Sequence, residues 1–233
     1  MNKLTPAQQS PPEPVSDSIS KYLEAIFYMN AEGETVRASR LAEWLGVSRP
    51  TVASTLKRMD KAGLCITNTS KQILLTPDGK SHAESIVRRH RIAERWLVDV
   101  LKFDWLLADE EASRIEHGLT DQVADRLFEV LGRPATCPHG NPIPGTKGHK
   151  TSSNERQLSS LKPGEKAILR RVSEVAEHDA PELLQFLSDH KFHVSSKIDV
   201  IEISGGAGTI TIEVDGQPVS MSINAASKLW VQS

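Results

Sequence analysis

A helix that stops at Gly46 and restarts at Ser48, with Pro50 in the first turn of the restart, most narrows what this chain can fold into. Residues 37–45 have helical spacing, with Leu41, Ala42 and Leu45 on one face, and Gly46 breaks the pattern. Ser48 is placed to cap the next helix. A proline just inside a helix start costs little, because the N–H it lacks would have no intrahelical partner there. The second helix is predicted to run to about Ala62, with Val52, Leu56 and Met59 inward, and Gly63 ends it. Residues 64–68 and 72–76 then read as two short strands around a polar turn. A further helix precedes them, marked by Tyr22, Leu23, Ile26 and Phe27. Three helices followed by a hairpin, in this order, form a winged helix-turn-helix.

The rest of the chain divides by pattern. Thr76-Pro77-Asp78-Gly79 starts a long helix reaching Val100 or Leu101, and Asp109 starts another reaching about Leu131. Residues 132–160 are rich in Pro, Gly, Ser and Thr. Beyond Gly164 short alternating runs dominate, with a helix over 180–190 and Asp215-Gly216 as a hairpin turn. Several short strands in so little chain suggest a small β-barrel. The fold class is therefore α+β. The expected divisions are a disordered tail (1–16), the winged helix-turn-helix (17–79), a helical region (80–146), a linker (147–162) and the small barrel (163–233).

A net charge of −2 does not by itself announce a nucleic-acid partner, so the placement of basic residues has to carry that argument. Two widely separated cysteines make no disulfide framework. No apolar run suits a bilayer span and no signal peptide is seen, so the expected location is the cytoplasm, without a membrane partner.

The placement is informative. The second helix of the pair begins with Ser48, Arg49, Pro50, Thr51 and Ser54, with Lys57 one turn on. Small polar and basic groups at a helix N-terminus suit entry into the major groove, where arginine can grip a guanine edge. Arg37, Ser39 and Arg40 start the preceding helix and would hold phosphates. Double-stranded DNA is thus the expected partner. A plain helical bundle with a charged face, or a winged helix used for protein contacts, would share some of these features.

A second constellation lies further on. His90 and Glu94 are four apart on the face that carries Ile86, Ala93, Leu97 and Leu101. A carboxylate on an apolar face needs a partner, and a cation is one way to supply it. Asp109, Ser113, Glu116 and His117 share a face of the next helix, and Glu24 on the first helix could join them. Oxygen-rich sets with imidazole favour Mn²⁺ or Fe²⁺. Each residue alone would be an ordinary core or surface group, and the clustering is what suggests a metal. Cys137-Pro138-His139, in a Pro/Gly-rich loop without a second pair, reads as a structured turn.

Several of these runs together resemble the diphtheria-toxin-repressor family of metal-dependent regulators. They are Ser48-Arg49-Pro50-Thr51-Val52 with Met59 and Gly63-Leu64, Leu75-Thr76-Pro77-Asp78-Gly79, the run from Arg89 to Arg95, the run from Glu111 to His117, and Gly140-Asn141-Pro142-Ile143-Pro144-Gly145. The resemblance implies a homodimer with a winged-helix domain, a helical dimerisation domain and an SH3-like (FeoA-like) C-terminal domain. It also implies a repressor of manganese or iron transport genes, activated for operator binding by Mn²⁺ or Fe²⁺.

His90 and Glu94 stand where the family has ancillary ligands, with Asp109 in place of a further His. Glu116 and His117 match the primary Glu-His pair, and Glu24 matches a ligand of manganese-type members. Ser113 and Lys21 replace two other primary ligands, and a lysine ammonium repels a cation. These departures tilt the expectation toward Mn²⁺. The family's Glu-x-x-Gln pair aligns here with Ala180 and Leu183, which cannot ligate, leaving Asp179 and Glu182 as weak candidates. The alternative is a winged-helix regulator with lost or altered metal control. An enzyme is not expected, since no nucleophile motif or phosphate-binding loop is present, and no small organic substrate is implied.

Overall fold

The computed structural model describes residues 16–146 and 154–233. Most of the expected tail, and the first part of the expected linker, lie outside the described residues. The chain forms two compact units. One comprises the described residues through Phe27 together with Thr35–Ala83, and the other comprises Tyr28–Glu34 with Glu84–Ser233. The expected cut at 79/80 falls inside a continuous helix, α4, which spans Pro77–Asp99.

In the first unit α1 (Asp17–Ala31), α2 (Ala38–Trp44) and α3 (Arg49–Lys61) precede a hairpin of β1 (Cys65–Thr67) and β2 (Ile73–Leu75). The local chemistry explains the break between α2 and α3. Gly46 takes a φ of 62°, which a side chain disfavours, and lets the chain turn. Ser48 then caps α3, its Oγ accepting from the Thr51 N–H at 3.3 Å. Val52, Thr55 and Met59 of α3 are buried, as are Val36 and Leu41 ahead of it and Ile73 on the wing. The strands pair antiparallel from Cys65–Leu75 to Thr67–Ile73. Asn68 shapes the turn, its Oδ1 accepting from the Gln72 N–H at 2.9 Å.

Thr76 fastens the start of α4 to the wing. Its hydroxyl donates to the Gly63 carbonyl at 2.6 Å and accepts from the Gly79 N–H at 3.0 Å. Gly79 itself lies so near the Leu64 carbonyl that a Cβ would come within 1.8 Å of that oxygen.

In the second unit α4 is followed by α5 (Trp105–Ile115) and α6 (Asp121–Val130). The sequence pattern had suggested one helix from Asp109 to Leu131. The difference comes from capping. Asp104 caps α5 through Leu107 N–H at 2.8 Å, and Thr120 caps a new helix through Val123 N–H at 3.3 Å, past the interruption at Gly118.

The C-terminal part is a six-stranded antiparallel sheet ordered β3-β8-β4-β5-β6-β7. Its strands are β3 (Glu155–Gln157), β4 (Lys166–Val172), β5 (Lys197–Ser204), β6 (Thr209–Val214), β7 (Gln217–Ser222) and β8 (Leu229–Gln232). Helices α7 (Glu174–Asp179), α8 (Pro181–Asp189) and α9 (Ile223–Ala226) complete it. Its core holds Leu169, Leu184, Leu187, Ile198, Ile212 and Val231, and Trp105 of α5 packs into that same core. The helical part and the sheet therefore share apolar surface, with α5 against α8, and the Arg91–Glu174 ion pair ties α4 to α7.

Gly79→Ala should lower stability by roughly 1–3 kcal/mol, because the added methyl collides with backbone that cannot swing away. Urea denaturation with the wing followed separately tests this; an unchanged midpoint would show that the contact is relieved without cost.

Candidate metal centre and nucleic-acid interface

The apolar face of α4 carries its two polar residues into the interior, His90 at 7% exposure and Glu94 at 1%. A helix places residues four apart on one side, so both point at the same neighbours. Asp109 of α5 comes within 3.4 Å of His90 Nε2, and Glu94 Oε2 lies 3.8 Å from the same nitrogen. On the other side of the ring, His90 Nδ1 meets Glu116 Oε2 at 2.7 Å. His117 Nε2 stands 3.5 Å from Glu116 Oε1. Arg89 Nε donates to the Glu116 carbonyl at 3.3 Å and holds that end of α5 against α4.

The sequence reading missed half of this centre. The loop after α6 brings in Cys137 and His139, both buried. His139 Nδ1 lies 3.0 Å from Glu94 Oε1 and 3.5 Å from Glu177 Oε2 of α7. Its ring meets Trp105 edge-on at a centroid distance of 5.0 Å. Gly140 lets the loop approach so closely. At a φ of 90° its backbone sits against β4, and a Cβ would come within 2.0 Å of the Arg170 carbonyl. The Val172 N–H then donates to the His139 carbonyl at 2.9 Å, and Asn141 donates to the Val172 carbonyl at 3.0 Å and to Glu177 at 3.2 Å.

Two sets of donor atoms lie within 4.8 Å of one another inside this unit, His90/Glu94/Asp109 and Glu94/Cys137/His139. Glu94 belongs to both. The turn expected at Cys137-Pro138-His139 is present, but it also delivers two donors that the sequence reading set aside. The missed signal was the combination of Cys137, His139 and Gly140 with an acidic pair three apart after a strand.

The acidic pair is also not the one expected. Asp179 is exposed and pairs with His178 at 3.2 Å, and Glu182 is exposed at the start of α8. Neither belongs to a metal-competent set among the described residues. Glu174 and Glu177 have the same spacing and face inward, because α7 starts directly after β4, a helix the sequence reading did not see. Glu177 reaches His139, and Glu174 is ion-paired with Arg91 of α4. Of the remaining candidates, Ser113 is exposed on α5, Lys21 is exposed, and Glu24 is buried on α1 in the other unit.

The electrostatics are those of a charged cluster kept from water. Burial works against the His90 imidazolium, but Glu94, Asp109 and Glu116 outweigh it and hold its pKa well above 6.5. Burial likewise opposes charge on His139, and Glu177 and Glu94 override it in the same direction. Burial would raise Asp109, yet the hydrogen bond and charge of His90 bring it below its ordinary value. Burial and the Glu94 charge push the Cys137 thiol up to about 11. Burial raises Glu177 well above the usual carboxylate range, only partly offset by His139.

In the first unit the basic residues are arranged as the sequence suggested. Arg49, Pro50, Thr51, Ser54 and Lys57 are exposed at the start and outer side of α3, with Ser48 as its cap. Arg37 occupies the N-cap position of α2 in extended conformation without a side-chain capping bond, and Ser39 is exposed beside it. Arg40 is more constrained, lying 5.2 Å over the Trp44 ring and 3.9 Å from Glu43.

A raised histidine pKa gives a testable pH dependence. The stability that His90 gains from its carboxylates is fully present below pH 6.5 and is lost as pH rises through the higher folded-state value. In chelator-treated protein His90→Gln should therefore destabilise most below pH 6.5 and progressively less in alkaline buffer. Denaturation midpoints of both proteins across pH check this; a constant difference would contradict it.

Comparison with known proteins points the same way. Residues 15–73 match the N-terminal DNA-binding domain of iron-dependent repressors, and 76–145 match their metal-binding and dimerisation domain. Residues 156–233 match the FeoA domain. The chain is 34% identical over 205 residues to the iron-dependent repressor IdeR of Mycobacterium tuberculosis, covering 84% of this chain and 89% of the relative. It is 29% identical to the diphtheria toxin repressor of Corynebacterium diphtheriae over 227 residues, covering 93% and 97%. Among solved structures, a manganese-dependent transcriptional repressor in complex with manganese superposes with a TM-score of 0.80 at 30% identity, over 92% of this chain and 99% of that one.

Proposed function

The chain belongs to the iron-dependent repressor family, and from that membership we propose that Mn²⁺ or Fe²⁺, held around Glu94, switches its grip on operator DNA. It is a metal-dependent DNA-binding repressor of a family that are regulators and not enzymes. The observation that carries the metal reading is the convergence of buried donor atoms on Glu94, in two sets whose members each lie within 4.8 Å of one another. Within them His139 Nε2 is buried without a hydrogen-bond partner. Interiors rarely leave donors and acceptors unsatisfied, and when they do the cause is often an ion.

The residues that would hold it are His90, Glu94 and Asp109 on one side and Cys137 and His139 on the other, with Glu177 nearby. Glu116 and His117, with Ser113 as a weaker member, would supply a second position. A divalent cation would give these carboxylates a shared positive partner in place of imidazolium. The donor set is oxygen and imidazole with one thiolate. The oxygens alone tilt toward Mn²⁺, and Cys137 brings Fe²⁺ level with it.

Linkage then follows from the chain's own groups. His90 and His139 must give up protons, and Cys137 must lose its own, before they can ligate. Residues on α4, α5, the 137–145 loop and α7 become tied to one centre. If the tied form binds operator better, DNA raises metal affinity by the same factor. Two copies would present two recognition helices about 34 Å, one turn of the duplex, or a multiple apart. Arg49 would read a guanine, with Ser54 and Lys57 beside it and Arg37, Ser39 and Arg40 on phosphates. The chain would act in the cytoplasm, consistent with two buried free cysteines.

The test uses a duplex selected by the Mn²⁺-loaded full chain from a randomised library. Binding at fixed salt should need Mn²⁺ or Fe²⁺. His90→Ala and Cys137→Ser should each weaken metal affinity by roughly tenfold or more. Arg49→Ala should cost about 1–3 kcal/mol and relax preference at one base pair. Equal affinity in chelator would sink the metal switch.

A further inference from the structure

The turn that leads into the DNA-reading helices is held by the C-terminal sheet. Tyr28–Glu34 groups with Glu84–Ser233, although it lies between α1 and α2 in the chain. The contact that accounts for this is buried. Arg171 of β4, itself 7% exposed, donates from Nη1 to Glu32 Oε1 at 2.8 Å. Its Nε faces Glu155 of β3 at 3.4 Å, and its guanidinium lies 4.3 Å from the centre of the Trp230 ring on β8. Three strands thus converge on one cation whose outward reach is to Glu32. Arg91 of α4, which ion-pairs with Glu174, lies 6.0 Å from the ring of Tyr28 on the same segment.

We propose that Arg171 is a positioning residue for operator binding: through Glu32 the FeoA-like domain fixes the turn from which α2 and α3 start, so that this domain carries part of the coupling between metal and DNA. A surface ion pair would be a poor anchor, because water and salt screen it. This one is different in three respects. Both side chains are mostly buried, with Arg171 at 8% and Glu32 at 12% side-chain exposure. The arginine is clamped from behind by a second carboxylate and an aromatic face, so its fork cannot drift. Loss of Arg171 leaves Glu32 and Glu155 without their shared cation in low dielectric.

The connection to the metal centre is short. β4 continues into α7 after Val172 and Ser173, and α7 carries Glu177 to His139. The strand that holds Glu32 therefore runs directly into the helix that faces the candidate metal donors. Arg171 and the start of α7 share the same end of β4, three residues apart, so a change in how α7 sits is felt directly at the residue that holds Glu32. Coupling of this kind needs a continuous set of packed groups with more than one arrangement, and the β4–α7 element supplies the continuity.

This inference rests on the metal-dependent reading above, and the experiment separates the two. The full chain is compared with Glu32→Gln, which acts at the more exposed end of the pair, and with Arg171→Gln. Three quantities are measured: Mn²⁺ affinity without DNA, affinity for the library-selected duplex in Mn²⁺ and in chelator, and hydrogen exchange over residues 28–45. Both variants should keep Mn²⁺ affinity. Both should lower the ratio of duplex affinities, Mn²⁺ over chelator, by roughly 3- to 30-fold, and exchange should quicken between Thr35 and Leu45. Glu32→Asp, which keeps the charge, should restore most of the ratio. An unchanged ratio in Glu32→Gln, with wild type still metal-dependent, overturns the role of Arg171. A wild type that binds equally in chelator overturns the metal switch and this inference with it. If Arg171→Gln does not fold, Glu32→Gln alone decides.

Discussion

Everything in the second unit depends on a carboxylate in the wrong place. Glu94 is essentially inaccessible, on a helix face that otherwise packs Ala93 and Leu97 against Ala108 and Ala112. An isolated charge there would be prohibitive, so its neighbours are explained by the need to answer it. His90 answers from one turn back and His139 from a loop far along the chain, each pulled toward its charged form. The result is a cluster with more carboxyl than basic groups, Asp109, Glu116, Glu174 and Glu177 around His90, His139 and Arg91, in which burial pushes Glu177 toward its neutral form. Such an excess is costly in a metal-free core and becomes an asset when a cation is present.

Cost of this kind is sustained only if the surrounding elements are fixed. The loop with Cys137 and His139 is pinned by Gly140 on β4 and by Asn141 bridging Val172 and Glu177. Trp105 belongs to the core of the C-terminal sheet and touches His139 edge-on. The sheet is therefore not an appendage: its core residues and its α7 carboxylates complete a site whose first two residues lie on α4. Loss of packing at Leu169 or Leu184 would be felt at Glu94 without touching a donor atom.

How much of this was legible in the sequence follows from the range of each interaction. The helix-turn-helix was readable because its determinants are local: the Ser48 cap, Pro50 in the first turn and the positive φ at Gly46 all act within a few residues. His90 and Glu94 were readable for the same reason, as an i, i+4 pair in an apolar stripe. What escaped was set by tertiary contact. Cys137 and His139 sit in irregular chain, where no periodicity announces which way a side chain points. Glu174 and Glu177 escaped because α7 is a single short helix directly after a strand, and the spacing rule was applied to the next acidic pair, Asp179 and Glu182, which faces solvent. The interruption between α5 and α6 was hidden because Ile115, Leu119 and Val123 keep helical spacing across it, while the Thr120 cap decides the matter. The short β8 strand gives too few alternations to stand out, yet it joins β3 to β4 inside the sheet.

On the proposed reading the thiol of Cys137 would bear on which ion the centre prefers. Burial and the Glu94 charge hold its proton firmly, at about 11, so the metal-free site does not offer a ready thiolate. An ion must be able to displace that proton, and softer borderline cations do so more readily than hard ones. Mn²⁺ gains little from sulfur and would be held mainly by Glu94, His90, Asp109 and His139. Fe²⁺ gains from both kinds of donor. On the proposed reading the same site would accept either ion through different subsets of its residues, with Cys137 weighting the choice. Selectivity in such a site depends on how far the protein lets the sulfur approach. The main restraint on that approach is Gly140, whose lack of a side chain sets how deeply the loop can sink against β4.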